Sequence, residues 1–190
     1  MRANTAHPVH EIIATRRSPR SLAPEAALSD IEIISILEAA RWAPSAFNGQ
    51  PWRFLLGKNG DTTFTQILSS LEPFNQGWAK NASVLILVAA KTTREDGSIH
   101  ADFQYDTGLA VAQMVFEVHN LGYVAHQMTG FNRENAQNSL EIPSDLVPVV
   151  VVAIGKQDHP DKLAPALAER EVASRTRKPL TEIVLRGLPA

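Results

Sequence analysis

Cysteine is absent from this 190-residue chain. That excludes disulfides, thiolate nucleophiles, iron–sulfur clusters and cysteine-ligated zinc, and it leaves any redox chemistry to a bound cofactor. An excess of one charge is missing too. The formal net charge is −2, so neither nucleic acid nor an anionic membrane surface is expected as a partner. Long apolar runs are lacking: those at 84–90 and 149–154 fall far short of the roughly 20 residues that a membrane-spanning helix needs. The first ten residues hold no apolar segment of the secretory kind. A cytoplasmic protein is expected.

Several chemical signatures are also missing. There is no G-x-G-x-x-G and no G-x-x-x-x-G-K-[ST], so the familiar phosphate cradles are excluded. No G-x-S-x-G elbow is present to carry a serine nucleophile. The histidines are scattered along the chain. His7 and His10 share a helix face near a frayed terminus, a poor metal cage, and no metal is expected. His126 lies beside an apolar strand and reads as structural. With no carboxylate pair in view, no catalytic side chain is assigned. The chemistry is expected to be borrowed from a cofactor.

What the chain does hold is an ordinary globular composition, 44% hydrophobic and 20% charged. Its length suits a single domain over 1–190, with 1–8 a loose N-terminus. Apolar periodicity predicts a short helix over 9–14, stopped before Pro19. Ser29 and Glu32 form a capping box for a strong helix whose buried stripe is Ile33, Ile34, Leu37 and Ala40. Residues 52–56 read as a strand, 57–60 as a turn, 63–71 as a helix and 74–78 as irregular. The continuous apolar runs 84–90 and 149–154 suit strands buried on both faces, with Pro148 opening the second. Between them a helix over 100–120 is apolar on nearly every side, which requires cover all round. A second subunit is the expected cover. Residues 123–127 read as a strand and 132–140 as a surface helix.

Three segments invite a functional reading. Residues 44–52, Pro-Ser-Ala-Phe-Asn-Gly-Gln-Pro-Trp, are stiffened by prolines and carry hydroxyl and amide groups. They are either a polar turn or a grip on a flat polar ligand. The clusters Arg16-Arg17-Ser18-Pro19-Arg20 and Ser174-Arg175-Thr176-Arg177-Lys178 are either solvated helix ends or anion sites, because guanidinium forks match phosphate oxygens. Two such clusters beside a ligand-gripping loop favour a ligand that bears phosphate.

Taken in order, these segments resemble the FMN-dependent nitroreductase family. The resemblance rests on Arg-Arg-Ser-Pro-Arg at 16–20, Ala-Pro-Ser-Ala-Phe-Asn-Gly-Gln-Pro-Trp at 43–52 and Asp-Thr-Gly at 106–108. Met-Thr-Gly-Phe at 128–131, Val-Pro-Val-Val-Val at 147–151 and Arg-Thr-Arg-Lys-Pro-Leu at 175–180 complete it. It implies an α+β fold with a mixed central sheet flanked by helices, in an intimate homodimer with FMN at the interface. It carries Arg16, Arg17, Ser18, Arg20, Arg175 and Arg177 to the FMN phosphate and ribityl chain. Pro44, Ser45, Ala46, Asn48 and Gln50 would reach the flavin of the other subunit. Gln127, Met128, Thr129 and Gly130 would line the ring edge, the Thr129 N–H facing N5, with Asn75 and Asp106 contacting the ring. Relatives often have an acidic residue where Thr129 stands and a serine where Ala46 stands, changes that spare backbone donors. The implied activity is ping-pong transfer of a hydride from NAD(P)H through FMN to a nitroaromatic, a quinone or free flavin. The alternative is a flavin carrier or sensor of the same fold with little turnover.

Overall fold

Two apolar strands dictate the architecture. Where odd and even side chains are both apolar, both faces of the sheet must be covered. The computed structural model describes residues 2–189 and shows a three-layer solution. After a one-turn helix α1 (Glu11–Thr15), helix α2 (Asp30–Arg41) leads to strand β1 (Trp52–Lys58). Helices α3 (Thr62–Ser70) and α4 (Pro73–Ala79) then precede β2 (Val84–Lys91). The long helix α5 (Phe103–Asn120) is followed by β3 (Val124–Met128), α6 (Arg133–Ser139) and β4 (Leu146–Gly155). Helices α7 (Pro165–Val172) and α8 (Leu180–Ile183) complete the chain.

The strands form one sheet in the order β1-β2-β4-β3. Val84, Ile86, Val88, Val150, Val152 and Ile154 pack on one face with α2 and α5. Leu85, Leu87, Ala89, Val151 and Ala153 pack on the other with α3, α4 and α6. Every pairing is antiparallel, which corrects the expected mixed sheet. The apolar runs report burial on both faces, and a central antiparallel strand meets that condition as well as a parallel one. Pro148 is not the first residue of its strand. It sits where the register shifts between Val88 and Ala89, a bulge that tolerates a residue without an N–H.

Other boundaries differ for local reasons. Gly57 belongs to β1 rather than a turn, because the first turn of α3 lies directly against it. Residues 74–78 are helical, with Pro73 at the first position of α4, where proline suits a helix. In α2 the buried residues are Ile33, Ile36 and Ala40, and Ile34 is exposed. The capping box at Ser29 and Glu32 forms as expected. Helix α5 is covered by the sheet and by α2, leaving Tyr105, Ala112 and Phe116 exposed along one stripe.

Within the stretch expected to be loose, the Ala3 N–H donates to the Ala14 carbonyl at 2.8 Å, and Arg2 pairs with Glu11. Met1 lies outside the described residues. Among the described residues no helix is long and apolar enough to cross a membrane.

Candidate functional site

The chain leaves α1 in extended geometry at Arg16 and runs past the β3 edge of the sheet. His126 Nδ1 meets the Pro19 carbonyl at 3.0 Å, and Ser18 Oγ approaches Gln127 Oε1 at 3.5 Å. The Glu171 carboxylate of α7, itself buried, accepts from the backbone N–H groups of Arg20 at 2.8 Å and Ser21 at 3.1 Å. That fastens the end of α7 to the first basic segment. Beyond α7 the second basic segment follows directly.

The two arginine clusters, at opposite ends of the sequence, interlock. Arg17 donates to the Ala173 carbonyl at 3.0 Å. Arg175 donates to the Ala14 carbonyl at 2.6 Å and to the Arg16 carbonyl. These acceptors are neutral carbonyls, and they orient the guanidinium groups. Among the described residues Arg16, Arg20, Arg175 and Arg177 enter no ion pair. Burial, followed by the charges of Arg17, Arg16 and Arg177, pushes the Arg175 guanidinium below the usual arginine range. A cluster of like charges held this way favours an anion between them.

Helix α4 adds an aromatic and amide wall. Asn75 Nδ2 donates to the Gly130 carbonyl at 3.1 Å, which also accepts from the Glu72 N–H at 3.1 Å. A Cβ at position 130 would approach Asn75 Nδ2 and Glu72 Oε2 at 3.0 Å, so glycine suits this close crossing. The Arg20 guanidinium faces the Phe74 ring at 5.9 Å, and its Nε is buried with no hydrogen-bond partner. The ring of Trp78 meets that of His126 at 4.6 Å. Residues 16–20, Asn75, 127–130 and Arg175 therefore belong to one connected region, with Arg177 two residues further along the same extended segment.

Two expected contacts need correction. Asp106 does not face a ligand: only 1% of its surface is exposed. Its Oδ2 meets His100 Nε2 at 2.9 Å and accepts the Ala46 N–H at 3.1 Å. It anchors the loop 44–50 from inside, because an acid at the start of α5 is overrun by that loop. The Met128 side chain is also buried, in the core on the α3 side of the sheet, which leaves only its backbone for a ligand.

The loop itself is tightly wound. Phe47, Asn48 and Gln50 all have positive φ, a left-handed geometry that is costly without glycine. Gln50 N–H donates to Ser45 Oγ at 3.0 Å, and Gly49 lies so close to the His100 ring that a Cβ would come within 2.8 Å. Ser45 and Ala46 are half-buried, while Pro44 and Asn48 are exposed. One chain does not bring this loop to residues 127–130. It precedes β1 on one edge of the sheet, and β3 is the other edge. Three strand spacings separate the edges, about 14 Å across the sheet.

His119 also borders this region, with no sign of it in the sequence. His119 Nδ1 meets the Tyr123 carbonyl at 2.9 Å, and its buried Nε2 has no partner. Burial, then the charges of Arg16 and Arg175, lower its pKa. No spacing signal marks a histidine at a helix end as a neighbour of two distant arginines.

His126 is likewise lowered, by burial first and then by Arg20, against the raising effect of the Pro19 carbonyl. A histidine whose folded pKa is depressed stabilises the fold fully above its ordinary value near 6.5, and that stability is lost as pH falls below it. The expected result is an unfolding free energy in urea that declines below about pH 6.5, by no more than about 1.4 kcal/mol per pH unit from this residue. In His126→Gln that part of the slope disappears. An unchanged slope in the variant places the titration elsewhere.

With this geometry in view, comparison with known proteins is informative. The family model described as "Nitroreductase family" matches residues 13–70 and 58–156. A solved crystal structure of an oxidoreductase containing FMN is 34% identical, with a TM-score of 0.92 over 98% of this chain and 95% of that one. The protein YdgI of Bacillus subtilis (strain 168), which is named as an NAD(P)H nitroreductase, is 27% identical, covering 77% of this chain and 87% of its own. A nitroreductase-type protein from Desulfovibrio desulfuricans, crystallised in complex with FMN, is 26% identical. Its TM-score is 0.72, over 98% of this chain and 100% of its own.

Proposed function

Because the chain belongs to the nitroreductase family, we propose that it is an FMN-dependent oxidoreductase that takes electrons from NAD(P)H and delivers them to a small-molecule acceptor. One observation carries this reading: two distant arginine clusters interlock beside β3 through backbone carbonyls, and among the described residues Arg16, Arg20, Arg175 and Arg177 enter no ion pair. The donor set fits the FMN phosphate. Arg16, Arg17, Ser18, Arg20, Arg175 and Arg177 would hold it, and the buried unpartnered Nε of Arg20 supplies a donor of the right kind. Asn75, Gln127, Thr129 and Gly130 would border the ring, with Met128 contributing backbone only. When bound, FMN would supply the hydride-transfer chemistry between NAD(P)H and the acceptor, in a ping-pong order.

The working unit in this reading is a homodimer of single-domain chains. Pro44, Ser45, Ala46, Asn48 and Gln50 would complete the partner's site, which accounts for a loop shaped for a ligand yet placed at the wrong edge of its own sheet. The exposed stripe Tyr105, Ala112 and Phe116 would be covered in the same contact. No residue of the chain is asked to act as acid or base. Nitroaromatics, quinones and free flavin are the acceptor classes, and a cytoplasmic supply of NAD(P)H suits the reading.

The purified protein is expected to be yellow, dimeric by sedimentation, and bleached by NADH or NADPH without oxygen. A bound flavin that stays oxidised with both would sink the enzyme reading and leave a flavin carrier or sensor. Arg20→Ala and Arg177→Ala should each weaken FMN retention by about 1.5–3 kcal/mol, the worth of a charged hydrogen bond. FMN affinity is read by fluorescence on dilution. If both variants hold flavin as tightly as the parent, the phosphate lies elsewhere.

A further inference from the structure

A cleft of about 510 Å³ lies on the other side of the loop 44–50 from its buried anchor. Phe47 and Gln50 form one wall, and a hairpin closed by the Thr93–Ile99 bridge forms another. Its volume falls in the range of small-molecule sites. Three cations line it from three elements: Arg53 of β1, Lys91 at the end of β2, and Arg94 of the hairpin.

Backbone carbonyls position the two arginines. Arg53 Nη1 donates to the carbonyls of Gln50 at 3.0 Å and Trp52 at 2.7 Å. Arg94 Nη1 donates to the Ile99 carbonyl at 2.6 Å, and its Nε is buried without a partner. Arg94 also makes one long ion pair, with Asp102 at 3.9 Å. Among the described residues Arg53 and Lys91 enter no ion pair. Of the two acids lining the cleft, Asp96 is turned to its own hairpin, where its carboxylate accepts the Ser98 N–H at 2.9 Å and hydroxyl at 2.6 Å, though its charge still bears on Arg94. Glu95 remains as the cleft's one other acid.

The aromatic component is as specific. Phe47 is 94% exposed and held in left-handed backbone geometry, with the Arg94 guanidinium 5.7 Å from its ring centre. A bare ring on a strained loop, backed by a cation, is a platform on which a flat heterocycle can stack. Two adjacent phosphates would satisfy Lys91 and the guanidinium forks, and a purine would satisfy Phe47.

We propose that this cleft binds the ADP portion of the dinucleotide co-substrate. The assignment rests on the proposed function, in which the same loop borders the partner's flavin. A co-substrate reaching that flavin from this side must carry its anionic arm along the cleft. The arm is then held by a chain other than the one whose arginines hold the FMN phosphate.

The probe is ADP, titrated by calorimetry into the FMN-loaded full-length protein. ADP is expected to bind and to compete with NADH. Lys91→Ala and Arg94→Gln should each raise its Kd about tenfold or more, as loss of one charge-assisted hydrogen bond does. The NADH KM should rise by a similar factor, while kcat and FMN content hold. Phe47→Ala should also weaken ADP and leave free pyrophosphate unaffected. An ADP Kd unchanged in both cation variants overturns the assignment, whether or not the protein holds FMN. Cleft-dependent ADP binding by a protein that takes up no FMN would instead overturn the flavin reading and leave the cleft assigned to ADP.

Discussion

Asp106→Ala is expected to cost roughly 4 kcal/mol of stability and to release the loop 44–50. The carboxylate oxygen that meets both the Ala46 N–H and His100 Nε2 sits where water does not reach. Its removal leaves two buried polar groups unmatched, each at about 1–3 kcal/mol, and opens a small cavity besides. The positive-φ geometry of Phe47, Asn48 and Gln50 adds to the effect, because that strain persists only while surrounding contacts enforce it. Urea unfolding gives the stability, and hydrogen exchange at Ala46 and Gly49 gives the loop. Asp106→Asn keeps one carbonyl oxygen and should lose less. A variant within 1 kcal/mol of the parent, with its loop amides still protected, would contradict the anchor. In the proposed dimer the same lesion lowers FMN retention in the partner's site while the arginine cluster of that site stays intact.

Gly57→Ala should be nearly as damaging, at about 3 kcal/mol or more. An added Cβ would lie 2.2 Å from Phe64 N, 2.4 Å from Phe64 Cα and 2.8 Å from the Thr63 carbonyl carbon. All three are backbone atoms in the first turn of α3, so no side-chain rotation relieves the clash. Either β1 or the helix must move, and the helix carries Phe64 and Ile67 into the core. Overpacking of this kind usually costs about 1–3 kcal/mol, and an immovable neighbour puts it at or above the upper end. Gly60 gives the comparison. It has a φ of +94° and nothing within 4 Å of its missing Cβ, so Gly60→Ala pays only for backbone strain. If the two substitutions prove equally mild in urea, the close approach of α3 to β1 is wrong.

What was readable in the sequence was whatever depends on local period and spacing. The capping box of α2, the two-sided apolar runs of β2 and β4, and the length of α5 are all written in neighbouring residues. The order of the arginine clusters, the loop and the 128–131 turn was enough to bring the family resemblance into view. Strand direction was not readable, because Val84 to Ala90 is apolar at every position and would look the same in either orientation. The place of Asp106 was hidden for a different reason. An acid in the first turn of a helix ordinarily faces solvent, and only the path of the loop over it, with His100 beneath, seals it in. The helical form of α4 escaped because Gly77, between Phe74 and Trp78, weakens any helical signal. His119 and the cleft at Arg53, Lys91 and Arg94 depend on contacts between segments far apart in the chain.

The strand order has a consequence for how the protein fails. The two most apolar strands occupy the centre of the sheet. The edges are β1, which carries Arg53 and Lys58, and β3, which carries His126 and Gln127. Charged and polar edges discourage strand addition while the sheet is intact. Once heat opens it, residues 84–90 of β2 and the stretch of β4 after Pro148 present apolar, uncharged segments of the kind that stack between chains. Heated samples should therefore aggregate faster than they refold, so thermal survival is governed by the rate at which the edges peel away.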